Sequence, residues 1–313
     1  MNYSNASFVK RYEGNPILTG KDFPDEYHIL HCFNSGIIKY KDKYLMLNRL
    51  EDCSLKAFFW IAESDDGYDF TPRPAPIAMP EDNPLFQKYA SINYYDPRIT
   101  QIGDTYYIMH ACHSEYDCRL SLLSTVDFEQ FKWHGFVSDP GNRNGILFPE
   151  KVNGLYARFD RPMTSWDGGN IWMSFSPDLV HWGQSECVLK NSAVRWAWSK
   201  VGGGCTPIKT EHGWLNLFHG VRTQCKSHYV YQWGVCLHDL EDPTKVIAVS
   251  EKPIITPMAN YELHGQTPSV CFITGAIVEP DGEVKAYYGG ADTVMCAGTI
   301  QLQTLIDLCH NRL

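Results

Sequence analysis

The chain has 313 residues, 44% hydrophobic and 13% aromatic, with 27 Lys and Arg against 36 Asp and Glu, a net charge of −9. That apolar share can fill the core of one large domain or two small ones. The acidic balance argues against a nucleic-acid or anionic-membrane surface, and no apolar run approaches the ~20 residues of a membrane span. Eleven scattered cysteines with no C-x-x-C pair fit reduced thiols better than a disulfide framework or a zinc site, so a soluble cytoplasmic protein is expected.

Read in chain order, the sequence is strand-and-turn grammar with few helical signals. The N-terminal tail, 1–12, is expected to pack on a neighbouring subunit. An apolar run, a tight polar turn and an aromatic-rich run then recur five times: GIIKYKDKYLMLNR (36–49), DPRITQIGDTYYIMHA (96–111), LFPEKVNGLYARFDRP (147–162), TPIKTEHGWLNLFHGV (206–221) and AIVEPDGEVKAYYGGAD (276–292). Their turns are placed at Lys41-Asp42, Gly103-Asp104, Asn153-Gly154, His212-Gly213 and Asp281-Gly282, residue types that tolerate hairpin geometry. AESDDGYDF (62–70), LLSTVDFEQFKW (122–133) and MSFSPDLVHW (173–182) add a strand, a Ser/Thr-x-Asp turn and a returning aromatic. The C-terminal stretch 299–313 is expected to form a short helix or a strand pairing that closes a ring. Strands of a β-sandwich usually recur every ~8–12 residues without this longer beat. The repeat therefore predicts an all-β, five-bladed β-propeller over 1–313, a single domain whose inner strands converge on a channel.

Three sets of residues could carry chemistry at that channel. Asp96, in NYYDPRIT beside Tyr95 and Arg98, is a candidate general acid held near a cation, or else a turn-capping Asp paired with Arg98. Arg143, Asn144, Arg161, Lys200 and His219 form a basic and polar set in an acidic chain. Brought together at one channel mouth they would repel unless an anion compensates them, and guanidinium forks suit phosphate oxygens. FNSG (33–36), Arg49 with Glu51 and Asp52, and YYGGAD (287–292), ending in Asp292, set polar groups beside aromatic ones as a carbohydrate site requires. No Walker loop, HExxH or GxSxG motif is present and the His and Cys positions show no metal-ligand spacing, so no metal is expected.

The stretches RYEGNPILTGKDFP (11–24), FNSG, Arg49 to Asp52, YDPRIT, NRNGILFPEKVNG, FDRP, GGGCTPIKTEHGWLNLFHGV, LHDLEDPTKVI and YYGGAD together resemble glycoside hydrolase family 130, the β-mannoside phosphorylases and their hydrolytic relatives. The resemblance implies a five-bladed propeller. It makes Asp96 the single catalytic acid, acting through the 3-hydroxyl of the bound mannose, and Arg143, Asn144, Arg161, Lys200 and His219 the phosphate-binding residues. It places Asn34, Arg49 and Asp292 around the mannose, with Tyr95 where many members carry an acidic residue. It further implies inverting phosphorolysis of a β-mannoside to α-mannose 1-phosphate, with inorganic phosphate as co-substrate and no other cofactor. β-1,4-Mannosylglucose or β-1,4-mannooligosaccharides are the favoured substrates; β-1,2-mannobiose or oligomannan phosphorolysis, or inverting hydrolysis, is the alternative. Partners are then the mannoside and phosphate, without nucleic acid or membrane, and a homo-oligomer is compatible. The Pro-rich segment 73–91 and the surroundings of Trp196 and Trp198 are expected as acceptor walls.

Overall fold

The computed structural model describes residues 7–163, 169–225 and 228–312. Five antiparallel sheets follow one another along the chain. Blade I comprises Ile29–Tyr40, Lys43–Asp52, Ala57–Ser64 and Thr71–Pro72, and blade II Asn93–Ile102, Thr105–Ser114, Asp117–Thr125 and Lys132–Phe136. Blade III comprises Asn142–Leu147, Tyr156–Pro162, Ile171–Ser176 and Gly183–Leu189. Blade IV runs Lys200–Gly203, Gly213–Gln224, His228–His238 and Val246–Val249, with the short Ile208–Thr210 also pairing on its second strand. Blade V has Cys271–Val278, Glu283–Gly290 and Val294–Gln301, and its outer strand is Lys10–Arg11. The first strands of blades I and II, II and III, III and IV, and V and I meet around the ring, while the first strand of blade V meets the second and third strands of blade IV. The expected five-bladed propeller is what the chain forms.

Each blade buries its faces against its neighbours. Five apolar clusters fill the five gaps, for example Leu47, Phe59, Ile108 and Phe128 between blades I and II, and Phe159, Met173, Trp214 and Phe218 between III and IV. Trp60, Trp214 and Trp233 are fully buried there. At ~1.5–3 kcal/mol for each large side chain taken from water, these gaps hold the ring together.

Lys10 and Arg11 pair with Thr299 and Gly298, so the described part of the N-terminal tail supplies the outer strand of the chain's own last blade. Leu302–Cys309 is a helix whose Leu305, Ile306 and Leu308 pack into the IV–V cluster. The turns at Lys41-Asp42 and Asn153-Gly154 have the positive φ expected of them. Glu211-His212, not His212-Gly213, forms the fourth turn: Gly213 starts the next strand at φ +134°, its α-carbon against the His238 carbonyl where a Cβ has no room. In the fifth, Pro280-Asp281 turns and Gly282 follows at φ +82°.

One local device positions the site. In blades I, II and III the first strand slips register between Phe33 and Gly36, between Tyr95 and Arg98, and between Arg143 and Ile146. Inside each slip one residue is left-handed: Asn34 at φ 51°, Asp96 at 54° and Asn144 at 54°. A bulge of this kind re-aims a side chain out of the pleat, and Asn and Asp tolerate that backbone better than most residues.

Candidate active site

The three bulge residues share the wall of one cavity of about 350 Å³ with Arg49, Tyr95, Arg143, Arg161, Lys200 and Asp292. Nine of the ten residues singled out in the sequence thus converge although they span 34 to 292. The tenth, His219, is fully buried. Its Nε2 lies 2.8 Å from Arg161 Nη1. Burial, then the charge of Arg161, pushes the His219 pKa well below the ordinary value, so the neutral ring accepts from the guanidinium and aims it. Gly202 makes that approach possible, since a Cβ there would fall 2.6 Å from Nε2.

On one side of the cavity, Asp96 Oδ1 accepts from Asn34 Nδ2 at 3.1 Å and from Arg49 Nη1 at 2.8 Å. Arg49 Nη2 donates to Glu51 Oε1 at 2.6 Å, and Glu51 also accepts from Asn93 and Gln266. The Arg49 guanidinium stacks over Phe33 at 4.0 Å and Tyr95 at 5.1 Å. The cation beside Asp96 is therefore Arg49. Arg98, expected as its partner, is 2% exposed and instead donates from Nε to the Gly204 carbonyl and from Nη1 to Pro97. It lines a separate cavity with Ile37, Ile99 and Gly275. Burial raises the Asp292 carboxyl pKa. The Tyr95 ring lines the cavity, but its hydroxyl is engaged with Cys118 Sγ at 3.0 Å. The Cys118 thiol itself donates to the Asn142 carbonyl, and burial keeps the Tyr95 hydroxyl protonated.

The opposite side is cationic. Arg143 and Arg161 are register partners on adjacent strands of blade III, and Lys200 opens blade IV. Among the described residues none of the three makes an ion pair with a carboxylate. The Nε atoms of both arginines and Oδ1 of Asn144 are buried without a hydrogen-bond partner among those residues. Lys200 Nζ lies over Tyr229 at 4.8 Å and Tyr231 at 5.2 Å. Burial, then Arg161 and Arg143, lowers its pKa to about 8, and burial lowers Arg161 to about 10. Buried cations cost heavily unless paired; three facing one cavity make a site built for an anion.

Ile92, Asn93, His113, Tyr231 and Phe272 complete the wall and were not singled out in the sequence. Phe272 stands on the first strand of blade V, one residue ahead of Ile273, where that strand slips register before Gly275. Trp196 packs on Phe218 in the core and walls nothing, whereas Trp198 is 53% exposed.

A five-bladed propeller with acidic and cationic groups facing one polar cavity belongs to the carbohydrate-active enzymes of this architecture. The family model described as β-1,4-mannooligosaccharide phosphorylase matches residues 8–311. A β-1,2-mannobiose phosphorylase of Listeria innocua is 31% identical over 95% of this chain and 97% of its own. A β-1,4-mannooligosaccharide phosphorylase of Ruminococcus albus is 30% identical over 96% and 90%. The solved structure of the Listeria innocua β-1,2-mannobiose phosphorylase with β-1,2-mannobiose superposes with a TM-score of 0.86, at 31% identity, covering 97% of this chain and 99% of that one. The chain belongs to glycoside hydrolase family 130, and it is an enzyme of the class that contains the mannoside phosphorylases.

Proposed function

We propose that this enzyme cleaves a β-mannoside with inorganic phosphate and inversion, releasing α-mannose 1-phosphate and a shortened acceptor. The observation that carries the reading is that Arg143, Arg161 and Lys200 line the same cavity as Asp96 with no ion pair to a carboxylate among the described residues. Phosphate is already an anionic nucleophile and needs a cradle that desolvates and aims it, not a base. An inverting hydrolase needs a second carboxylate ~6.5–9.5 Å away to activate water, and among the described residues lining this cavity Asp292 is the only other carboxylate. Asp96 and Asp292 both act on the same Arg49 guanidinium instead.

In the reaction a phosphate oxygen forms a bond to C1 as the C1–O glycosidic bond breaks, and the bonding pair leaves with the oxygen. The Asp96 carboxyl supplies the proton that neutralises it, through the mannose 3-hydroxyl as the family resemblance implies. Asn34, Arg49 and Asp292 hold the mannose; Arg143, Asn144, Arg161 and Lys200 hold phosphate; His219 orients Arg161. Tyr95 contributes its ring face. The β-1,4 linkage is the preferred substrate class, supported by the description of the matching family model. The β-1,2 linkage is the second reading, supported by the 31% identity to the β-1,2-mannobiose phosphorylase.

Steady-state kinetics of two variants test the assignment. Asp96→Asn is expected to lower kcat by at least ~10², the lower range for a lost general acid, with phosphate affinity retained. Arg161→Ala is expected to raise the KM for phosphate while the KM for mannoside moves little. An Asp96→Asn enzyme within tenfold of wild type, or an Arg161→Ala enzyme with unchanged phosphate KM, contradicts it.

A further inference from the structure

On the first strands of blades I, II and III the catalytic cavity takes residues before or inside the register slips, among them Asn34, Asp96 and Asn144. Residues at or past the slips line a second cavity, of about 400 Å³, which shares no described residue with the first. Every blade contributes to it: Ile37 from I, Ile99 from II, Pro149 from III, Thr206 from IV and Gly275 from V. At the slips the chain packs tightly, since a Cβ at Gly36 would fall 2.7 Å from the Pro97 carbonyl oxygen and one at Gly204 would run into Ile273. The second cavity reaches solvent at Gln101 and Gly103, both exposed.

Arg98 is the one charged side chain among the described residues of this wall. It is 2% exposed and pairs with no carboxylate among those residues. Two of its nitrogens donate to the Gly204 and Pro97 carbonyls, while Nη2 is buried with no partner among them. Burial lowers the Arg98 pKa, and Asp96 supports the charge only through space. A buried guanidinium without a counter-charge is costly, and its free donors suit an oxyanion. Hydroxyls stand beside it. Thr100 and Thr206 meet at 2.8 Å, and their alternative acceptors, the Leu147 and Ile99 carbonyls, lie at 3.3 and 3.2 Å. Thr274, inside the blade V slip, reaches the Tyr287 carbonyl at 3.3 Å. Those lengths exceed the ~2.5–3.0 Å usual for a hydroxyl donor, so the three can turn to an anion at little cost.

We infer that this cavity binds a small oxyanion of the phosphate class on Arg98, at a site distinct from the catalytic one. The inference goes beyond the phosphorolytic reading and does not depend on it. The test is equilibrium dialysis of radiolabelled inorganic phosphate, without mannoside, on wild type, Arg161→Ala, the double variant Arg161→Ala with Gln101→Glu, and Arg98→Met. Wild type is expected to bind two phosphates per chain. Arg161→Ala keeps one of them, and adding Gln101→Glu, a carboxylate on the second cavity's wall, weakens that one about tenfold. Arg98→Met loses the same site and keeps the other. Thermal melts check folding; Gln101 is exposed, so its variant carries the test even where Arg98→Met does not fold. An Arg161→Ala enzyme that binds no phosphate, or one whose affinity Gln101→Glu leaves within about twofold, overturns the inference. A single wild-type site that survives Arg161→Ala and is weakened by Gln101→Glu upholds it and contradicts the phosphorolytic reading instead.

Discussion

Lys200 is the one cation of the proposed cradle whose charge is conditional. Burial, then the neighbouring Arg161 and Arg143, oppose the charged form and push its amine down to about 8. Below that pH it is protonated and three cations face the cavity; as pH rises through about 8 the proton leaves and two remain. We expect kcat/KM for phosphate to fall above pH 8 in wild type, and the fall to move to higher pH in Lys200→Arg, whose guanidinium stays charged. Identical profiles for the two enzymes would remove Lys200 from the anion site. Residue identities were legible in the sequence because Asp96, the basic set and Asp292 sit in distinctive short motifs. Their partners were not: Arg98 stands two positions from Asp96 in sequence, but Asp96 is itself the left-handed bulge residue, and Arg49, 47 positions away, makes the ion pair.

The Ser/Thr-x-Asp segments show how an element can be read from sequence with its mechanism. Ser176 Oγ accepts from the amides of Asp178 and Leu179, and Asp178 Oδ1 accepts from Val180 and His181. Ser64 with Asp66, and Thr125 with Asp127, repeat the pattern in blades I and II. Each ties the third strand to a residue of positive φ: Gly67, Phe128 or Leu179. Ser176 is fully buried, so Ser176→Ala leaves the Leu179 amide unpaired and should cost ~1–3 kcal/mol. Chemical denaturation measures that; a change under ~0.5 kcal/mol, the size of an ordinary surface substitution, would mean water replaces the hydroxyl. Turn boundaries were less legible. His212-Gly213 looks like a turn pair, but the His238 carbonyl needs glycine's bare α-carbon at the next strand's start, and tertiary contact of that kind leaves no local signature.

At the scale of the molecule, the propeller was legible because five similar units at a long spacing admit few other architectures, while the closure was not, because a two-residue strand carries no pattern. Arg11 on that strand donates from Nε and Nη2 to the Glu262 carboxylate at 2.7 and 2.9 Å, where Glu262 also accepts from Met258, Ala259 and Tyr288. The Glu262 side chain is 0% exposed, so Arg11→Ala strands a buried charge and should cost ~3–5 kcal/mol. Burial alone would raise the Glu262 pKa, but Arg11 and the two amides outweigh it and hold it below the ordinary value. A carboxylate with a lowered folded-state pKa adds stability above its unfolded pKa, near ~4.3, and loses it as pH falls through the folded value. The Arg11→Ala deficit should therefore be full at neutral pH and shrink below pH ~4; a deficit independent of pH would assign the strand's contribution to backbone pairing alone. All of these features serve the proposed arrangement, in which a proton donor and an anion cradle share one cavity of a closed ring. The measurement that tests it most directly is phosphorus NMR of the enzyme with a β-mannobiose, with and without inorganic phosphate. The account predicts α-mannose 1-phosphate in the first case and no turnover in the second; free mannose at the same rate in both would contradict it.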